Sequence, residues 1–263
     1  MNARSLLAQP PIWREGRLGI EAAALVRDPV YRGEGVPGAA GQPVMLIPGF
    51  LAGDNSLGLM TRWLRRTGHR TRRAGMRVNI DCSSLAVGRL EERLESMAAA
   101  AGRQVAIIGQ SRGGAFAKAL AVRRPDLVSG IVTLGSPIVN PLAVHPLVRA
   151  QVLAVGLLGT LGAPGLFRHS CLGGDCCRRF RADLEAPLDA STGFLAIYSR
   201  SDGIVDWRSC LDPAADEQLE VEASHCGMSL NAQAYRAIAE ALERYRKGEP
   251  RSAKRATAGR LAA

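Results

Sequence analysis

Gly109-Gln110-Ser111-Arg112-Gly113, with Gly114 following, is the stretch whose reading decides the fold. Val105-Ala106-Ile107-Ile108-Gly109 leads into it as a short buried strand, and residues 115–123 follow as a helix. Strand, Gly-x-Ser-x-Gly and helix in that order form the context that gives this motif meaning. The turn is so tight that its central Ser is expected to carry a strained backbone. Glycines flank it because a Cβ at either position would meet the neighbouring strand or helix. Such a turn lifts the Ser hydroxyl to the edge of the sheet and aims a helix N-terminus at it. The plain alternative is a Gly/Ser turn that only joins a strand to a helix, and the rest of the chain decides between the two.

Working outward, apolar runs alternate with helical periodicity. Val44-Met45-Leu46-Ile47, 130–135 and 194–199 read as buried strands, with further strands at 70–78 and 218–222. Helices are expected at 16–28, from a Ser56 cap to Arg66, from Cys82 to Ala101 and over 231–244, with a Gly/Pro-rich loop at 31–43. This alternation predicts an α/β fold: a mostly parallel sheet flanked by helices, with its active groups at the carboxyl ends of strands. The expected organisation is an N-terminal helix and linker (1–43), a catalytic domain (44–245) and a basic tail (246–263).

At 263 residues, 47% of them hydrophobic, the chain is long enough for one large domain or two small ones. No apolar run is long enough to span a bilayer, and residues 1–13 lack the features of a secretory signal, so a cytoplasmic location is expected. The net charge of +10 suggests anionic partners. It is concentrated in seven arginines between Asn55 and Ile80, a stretch without an acid, and in the tail from Arg246. No nucleic-acid recognition motif accompanies these runs, so nucleic acid is not expected. A solvated basic face is the plain reading, and peripheral contact with an anionic membrane is its functional alternative.

A nucleophilic serine needs a base, an acid to orient that base, and donors for the developing oxyanion. Of four histidines, His225 follows the last expected strand, which is where chain order Ser, acid, His puts the base. His69 sits among arginines, and His145 and His169 lie after the strand at 130–135. The loop after 194–199 offers Asp202 and Asp206; its position at the strand end favours Asp202, with Asp206 as a local cap or a partner for an arginine. The oxyanion donors are expected to be the backbone N–H of Arg112 and that of Phe50, with Leu51 as the alternative to Phe50.

The pieces Leu46-Ile47-Pro48-Gly49-Phe50, Gly109-Gln110-Ser111-Arg112-Gly113-Gly114, Thr133-Leu134-Gly135-Ser136-Pro137, Tyr198 to Val205 and Ser224-His225-Cys226-Gly227-Met228 stand in one order from about Pro43 to Arg244. In these the chain resembles the α/β-hydrolase superfamily, and within it bacterial lipase- and esterase-like serine hydrolases of actinobacterial type. The resemblance implies Ser111 as nucleophile, Asp202 as orienting acid, His225 as general base and acid, and Phe50 with Arg112 at the oxyanion. Many lipases carry His-Gly where this chain has Pro48-Gly49, and often His where it has Arg112, which places a cation beside the nucleophile.

Residues 138–192 are too many for a plain connection and are rich in Leu, Val, Ala and Gly. They are expected to form an apolar lid or acyl pocket, with Leu51, Leu157, Leu158, Leu161 and Phe167 touching substrate. Ordinary packing helices are the alternative. An apolar cover favours a small-molecule or lipid ester of an apolar acid, and leaves lipase, small-ester esterase, thioesterase and acyltransferase open, beside a catalytically quiet lipid-docking protein. Cys171, Cys176 and Cys177 with Cys210 could bind zinc, but no paired C-x-x-C exists; a disulfide from the insert to the loop past Val205 is the better alternative and reduced thiols are the default. No cofactor or metal is therefore expected.

Overall fold

Continuous apolar runs mark strands covered on both faces, and the runs around 44, 105 and 130 become interior strands of one sheet. The structure, a computed structural model, describes residues 11–249. Its strands are β1 (Pro43–Ile47), β2 (Arg70–Arg73), β3 (Val105–Gln110), β4 (Val128–Leu134), β5 (Gly193–Tyr198) and β6 (Glu217–Glu220). All neighbours pair in parallel, in the order β2-β1-β3-β4-β5-β6. The helices are α1 (Leu18–Arg27), α2 (Gly58–Arg66), α3 (Ser83–Ala101), α4 (Arg112–Arg123), α5 (Pro146–Thr160), α6 (Asp175–Glu185) and α7 (Ala232–Lys247), with short helical turns between.

Side chains alternate across a strand, and the two faces build two cores. Met45, Ile47, Val105 and Ile107 pack against α3, α4 and α6. Val44, Leu46, Ala106 and Ile108 pack against α1, α2 and α7. The chain steps from β1 outward to β2, then returns past β1 to β3 and onward. The strand order therefore reverses between β1 and β3, which opens a crevice at their carboxyl ends. The loops bearing Phe50 and Ser111 leave the sheet there.

Several element ends differ from expectation. Ser56 does not cap α2; the turn Asp54–Leu57 precedes that helix, and the Ser56 N–H donates to the Gly53 carbonyl at 2.9 Å. β2 stops at Arg73 rather than running to residue 78, because the Gly75 and Met76 amides donate to the Asp54 carboxylate instead of to a strand. The 31–43 loop begins with the end of a helical turn, Pro29–Arg32. Helix α4 starts at Arg112, three residues before the expected 115.

Four arginines of the basic stretch bond neutral groups of the protein: Arg65 the Thr71 hydroxyl, Arg66 the Tyr31 carbonyl, Arg72 the Ser96 hydroxyl and Arg73 the Asn55 side chain. Arg246 and Lys247 of the expected tail belong to the end of α7 and pair with Glu243; the tail from residue 250 on lies outside the described residues, as do residues 1–10. No helix among the described residues is long and apolar enough to cross a membrane.

Candidate active site

Ser111 occupies φ 52°, ψ −122°, between the end of β3 and the first residue of α4. For a residue with a Cβ this costs about 1–3 kcal/mol, and three close approaches around glycines accompany it. A Cβ at Gly109 would lie 2.3 Å from the Gly113 carbonyl oxygen; one at Gly113, 2.2 Å from that of Ile47; one at Gly114, 2.0 Å from Ser136 Oγ. The Ser111 N–H also donates to the Leu134 carbonyl at the end of β4, at 2.8 Å. The expected strained turn and the expected reason for its glycines are both present.

Asp202 leaves the end of β5, and His225 follows β6. Both are buried. His225 Nδ1 lies 2.7 Å from Asp202 Oδ2, while Asp202 Oδ1 accepts from the Ile204 and Val205 amides, each at 2.8 Å. Burial pulls the His225 pKa down, but the charge and hydrogen bond of Asp202, with the charge of Glu15, outweigh it and leave the imidazole above its ordinary 6.5. Of the two acids weighed from sequence, only Asp202 reaches the ring. Asp206 caps the turn Trp207–Cys210 and pairs with Arg208. Gly135, at the end of β4 with φ +55°, leaves room for the pair: a Cβ there would sit 3.1 Å from His225 Nδ1 and 3.2 Å from Asp202 Oδ2.

The other histidines are elsewhere. His69 is buried with its pKa lowered to about 4, because burial disfavours the charged ring more than its bond to the Leu64 carbonyl favours it. His145 caps α5, accepting from the Leu147 N–H, and His169 opens a short turn.

The loop after β1 borders the same cavity as Ser111 and His225. Leu51 adopts φ 58° and its N–H donates to the Asn79 carbonyl at 3.3 Å, so that amide is engaged. The Phe50 N–H makes no hydrogen bond among the described residues. Arg112 is the first residue of α4, where an N–H has no partner inside the helix. Of the two candidate donors, Leu51 therefore has its amide engaged and Phe50 has its amide without a partner among the described residues.

Asn79 ties this loop down and had no signal in the sequence. Its side chain donates to the Pro48 carbonyl at 2.8 Å and its N–H to the Ala52 carbonyl at 2.8 Å. The Arg112 guanidinium grips the same segment, donating to the Asn79 carbonyl and side-chain oxygen, the Asp81 carbonyl and the Ser83 hydroxyl. Burial lowers its pKa to about 10, which keeps it charged at neutral pH. The cation beside Ser111 is thus turned inward onto carbonyl and hydroxyl groups.

The acid and base loops are held from the far end of the chain, which sequence reading also missed. Glu15 Oε1 accepts from the Gly203 N–H at 3.1 Å and the His225 N–H at 2.9 Å. Glu21, on α1, accepts from the Ser224 N–H at 2.7 Å and the Ser224 hydroxyl at 2.5 Å. Two glutamates on an amphipathic segment look like solvated charges.

Ser111, His225, Phe50, Leu51 and Arg112 line one cavity of about 500 Å³. Its apolar wall comes from Leu18, Val148, Val152, Phe167, Leu172 and Phe180. The insert enters this wall tied to the acid loop, through the bridge between Val144 and Val205 and the His145 N–H to the Ile204 carbonyl at 2.7 Å. Phe167 stands in this wall, its ring centroid 6.5 Å from that of Phe50. Leu157, Leu158 and Leu161 are not in the wall: they stand 57%, 51% and 74% exposed on the outer side of the insert. The reason is the rotation of α5. Gly156 and Gly159 press against the Phe167–His169 backbone, where a Cβ on Gly159 would come 2.2 Å from the Phe167 carbonyl oxygen. That contact turns Val148, Gln151 and Val152 to the cavity and the leucines outward. All six cysteines are free; Cys210 is buried beside the acid loop and takes no part in a bridge to the insert.

The architecture is the α/β-hydrolase fold. The mature form of lipase BlEst2 from Bacillus licheniformis superposes with a TM-score of 0.59 at 14% identity, covering 78% of this chain and 94% of that one. The monoacylglycerol lipase of Paleococcus ferrophilus superposes at 0.56 with 16% identity over 80% and 96%. A soluble variant of the Saccharomyces cerevisiae monoglyceride lipase, in complex with a substrate analogue, superposes at 0.55 with 17% identity over 80% and 90%. No family model matches the chain, and no curated protein matches it by sequence.

Proposed function

We propose that the protein is a serine hydrolase of carboxylic esters with apolar acyl groups, acting through an acyl-enzyme. The observation that carries the reading is the Asp202–His225 pair at 2.7 Å, whose imidazole lines one cavity together with Ser111, Phe50 and Arg112. Ser111 Oγ attacks the ester carbonyl as His225 takes its proton. The carbonyl oxygen gains charge and is stabilised by the Phe50 and Arg112 amides, which fold in place and need no rearrangement. His225 then gives the proton to the leaving alcohol. Water, activated by the same imidazole, releases the acid. Asp202 fixes the tautomer that presents Nε2 to the serine.

The apolar wall supports an apolar acyl group, and the lipases that share the fold support the ester class. A thioester donor or an acceptor alcohol would use the same groups. The test is labelling of the purified protein with a fluorophosphonate, beside Ser111→Ala, followed by a p-nitrophenyl ester series of increasing chain length. Labelling that disappears in the variant, with turnover that peaks at some chain length, supports the reading. A folded protein that neither labels nor turns over any ester overturns it.

A further inference from the structure

Three thiols on three separate elements converge beside the cavity. Cys82 immediately precedes α3, Cys171 lies in the short turn His169–Leu172, and Cys176 lies in the first turn of α6. Their sulfur atoms all lie within 4.8 Å of one another. Thiolates bound at about 2.3 Å around one zinc ion stand roughly 4 Å apart, so this spacing suits a shared ion. A disulfide uses two sulfurs and gives no reason for the third. We propose that Cys82, Cys171 and Cys176 form a three-thiolate site for Zn²⁺, with water as the fourth ligand.

The backbone is shaped for it. Cys171 and Cys176 are brought to one side by a turn through Gly173 and Gly174, closed by the Gly174 N–H to the Ser170 carbonyl at 2.8 Å. Cys82 sits at the N-terminus of a 19-residue helix, whose first amides favour negative charge. Three thiolates around a dication leave one negative charge. The Arg112 guanidinium, bonded to the Asp81 carbonyl and the Ser83 hydroxyl on either side of Cys82, offsets it. Binding releases the three thiol protons to solvent and changes no oxidation state. Cys177 and Cys210, both named among the sequence candidates, fall outside the cluster, and Cys82, 89 positions before the next thiol in the chain, enters it through the fold.

The ion would clip the insert to the segment that Arg112 and Asn79 share with the oxyanion loop. The site stands apart from the catalytic reading, because its occupancy is measured without an ester. The full chain, reduced with a phosphine and stripped with a chelator, is titrated with Co²⁺ as a spectroscopic probe and then with Zn²⁺. One equivalent of Co²⁺ is expected to give a sulfur-to-cobalt charge-transfer band that Zn²⁺ abolishes. The band is expected to be lost in Cys82→Ser, Cys171→Ser and Cys176→Ser and kept in Cys177→Ser and Cys210→Ser. Because a substituted chain can misfold, the unsubstituted protein is also alkylated with and without Zn²⁺, and the modified cysteines are read by mass spectrometry. Protection confined to these three supports the site. Absence of the band, its persistence in the three variants, or equal alkylation with and without Zn²⁺ overturns it.

Discussion

On the Ser111 side of the crevice, atoms of the following helix, of β1 and of Ser136 beyond β4 come within 2.4 Å of where glycine side chains would be. On the opposite side, the His225 and Ser224 amides are held by carboxylates from residues 15 and 21, some two hundred positions away. The first arrangement is steric and tolerates only glycine. The second is electrostatic: it fixes the loop and adds negative charge near His225. Damage to the first should therefore fall on rate alone, and damage to the second should also move the pH profile.

The largest effect tests whether the nucleophile side acts at all. Ser111→Ala should lower kcat on the order of 10⁶-fold, as removal of a serine nucleophile does elsewhere; stopped assays on a purified variant with an unchanged circular dichroism spectrum check it. On the opposite side, Asp202→Asn should lower kcat on the order of 10⁴-fold, because the amide stabilises the wrong imidazole tautomer. It should also shift the acid limb. His225 must be neutral to accept the serine proton, and its pKa lies above 6.5, so wild-type activity falls as pH drops through a value above 6.5. Without the Asp202 charge and hydrogen bond, burial remains and the limb moves to lower pH.

Two smaller changes separate the means of support. Arg112→Met removes four hydrogen bonds from the segment that ties down the oxyanion loop. Misplacing that donor by about 1 Å costs on the order of 10²-fold in kcat, and the acid limb should stay where it is. Glu15→Ala leaves the His225 amide without its acceptor and should cost about tenfold in kcat, the equivalent of one such hydrogen bond. Glu15→Gln should restore most of that rate while the limb still lies to the acid side of wild type, since the amide accepts but carries no charge. A limb unmoved in both Glu15 variants would show that the segment serves packing alone.

The same contrast explains what could be read from the chain. Gly-x-Ser-x-Gly between a strand and a helix states a steric requirement in local residue types, and chain order then places Asp202 and His225 after their strands. The sequence offered Phe50 or Leu51 as a donor, and the difference between them, the engagement of the Leu51 amide by the Asn79 carbonyl, is visible only in the fold. Glu15, Glu21 and Asn79 carry no local mark, because their partners are backbone groups brought near by the sheet. Cys82 was legible as a thiol but not as a neighbour of Cys171 and Cys176. The leucines of α5 failed for another reason. That helix is apolar on more than one face, so periodicity cannot choose the stripe that meets the cavity; the choice is made by Gly156 and Gly159 against Phe167.

This last point yields the smallest effect and a direct test of the corrected wall. Val152 lines the cavity, whereas Leu157, one and a half turns along the same helix, is 57% exposed. Val152→Phe places a ring in the space an acyl chain would fill. It should lower kcat/KM for long-chain relative to short-chain p-nitrophenyl esters about tenfold, in line with about 1–3 kcal/mol per methylene group excluded from an apolar pocket. Leu157→Ser should leave that ratio unchanged for monomeric esters, because the side chain meets solvent. If the two variants exchanged these results, α5 would present the opposite stripe to substrate, and the contact of Gly156 and Gly159 with Phe167 could not be the one that sets its rotation.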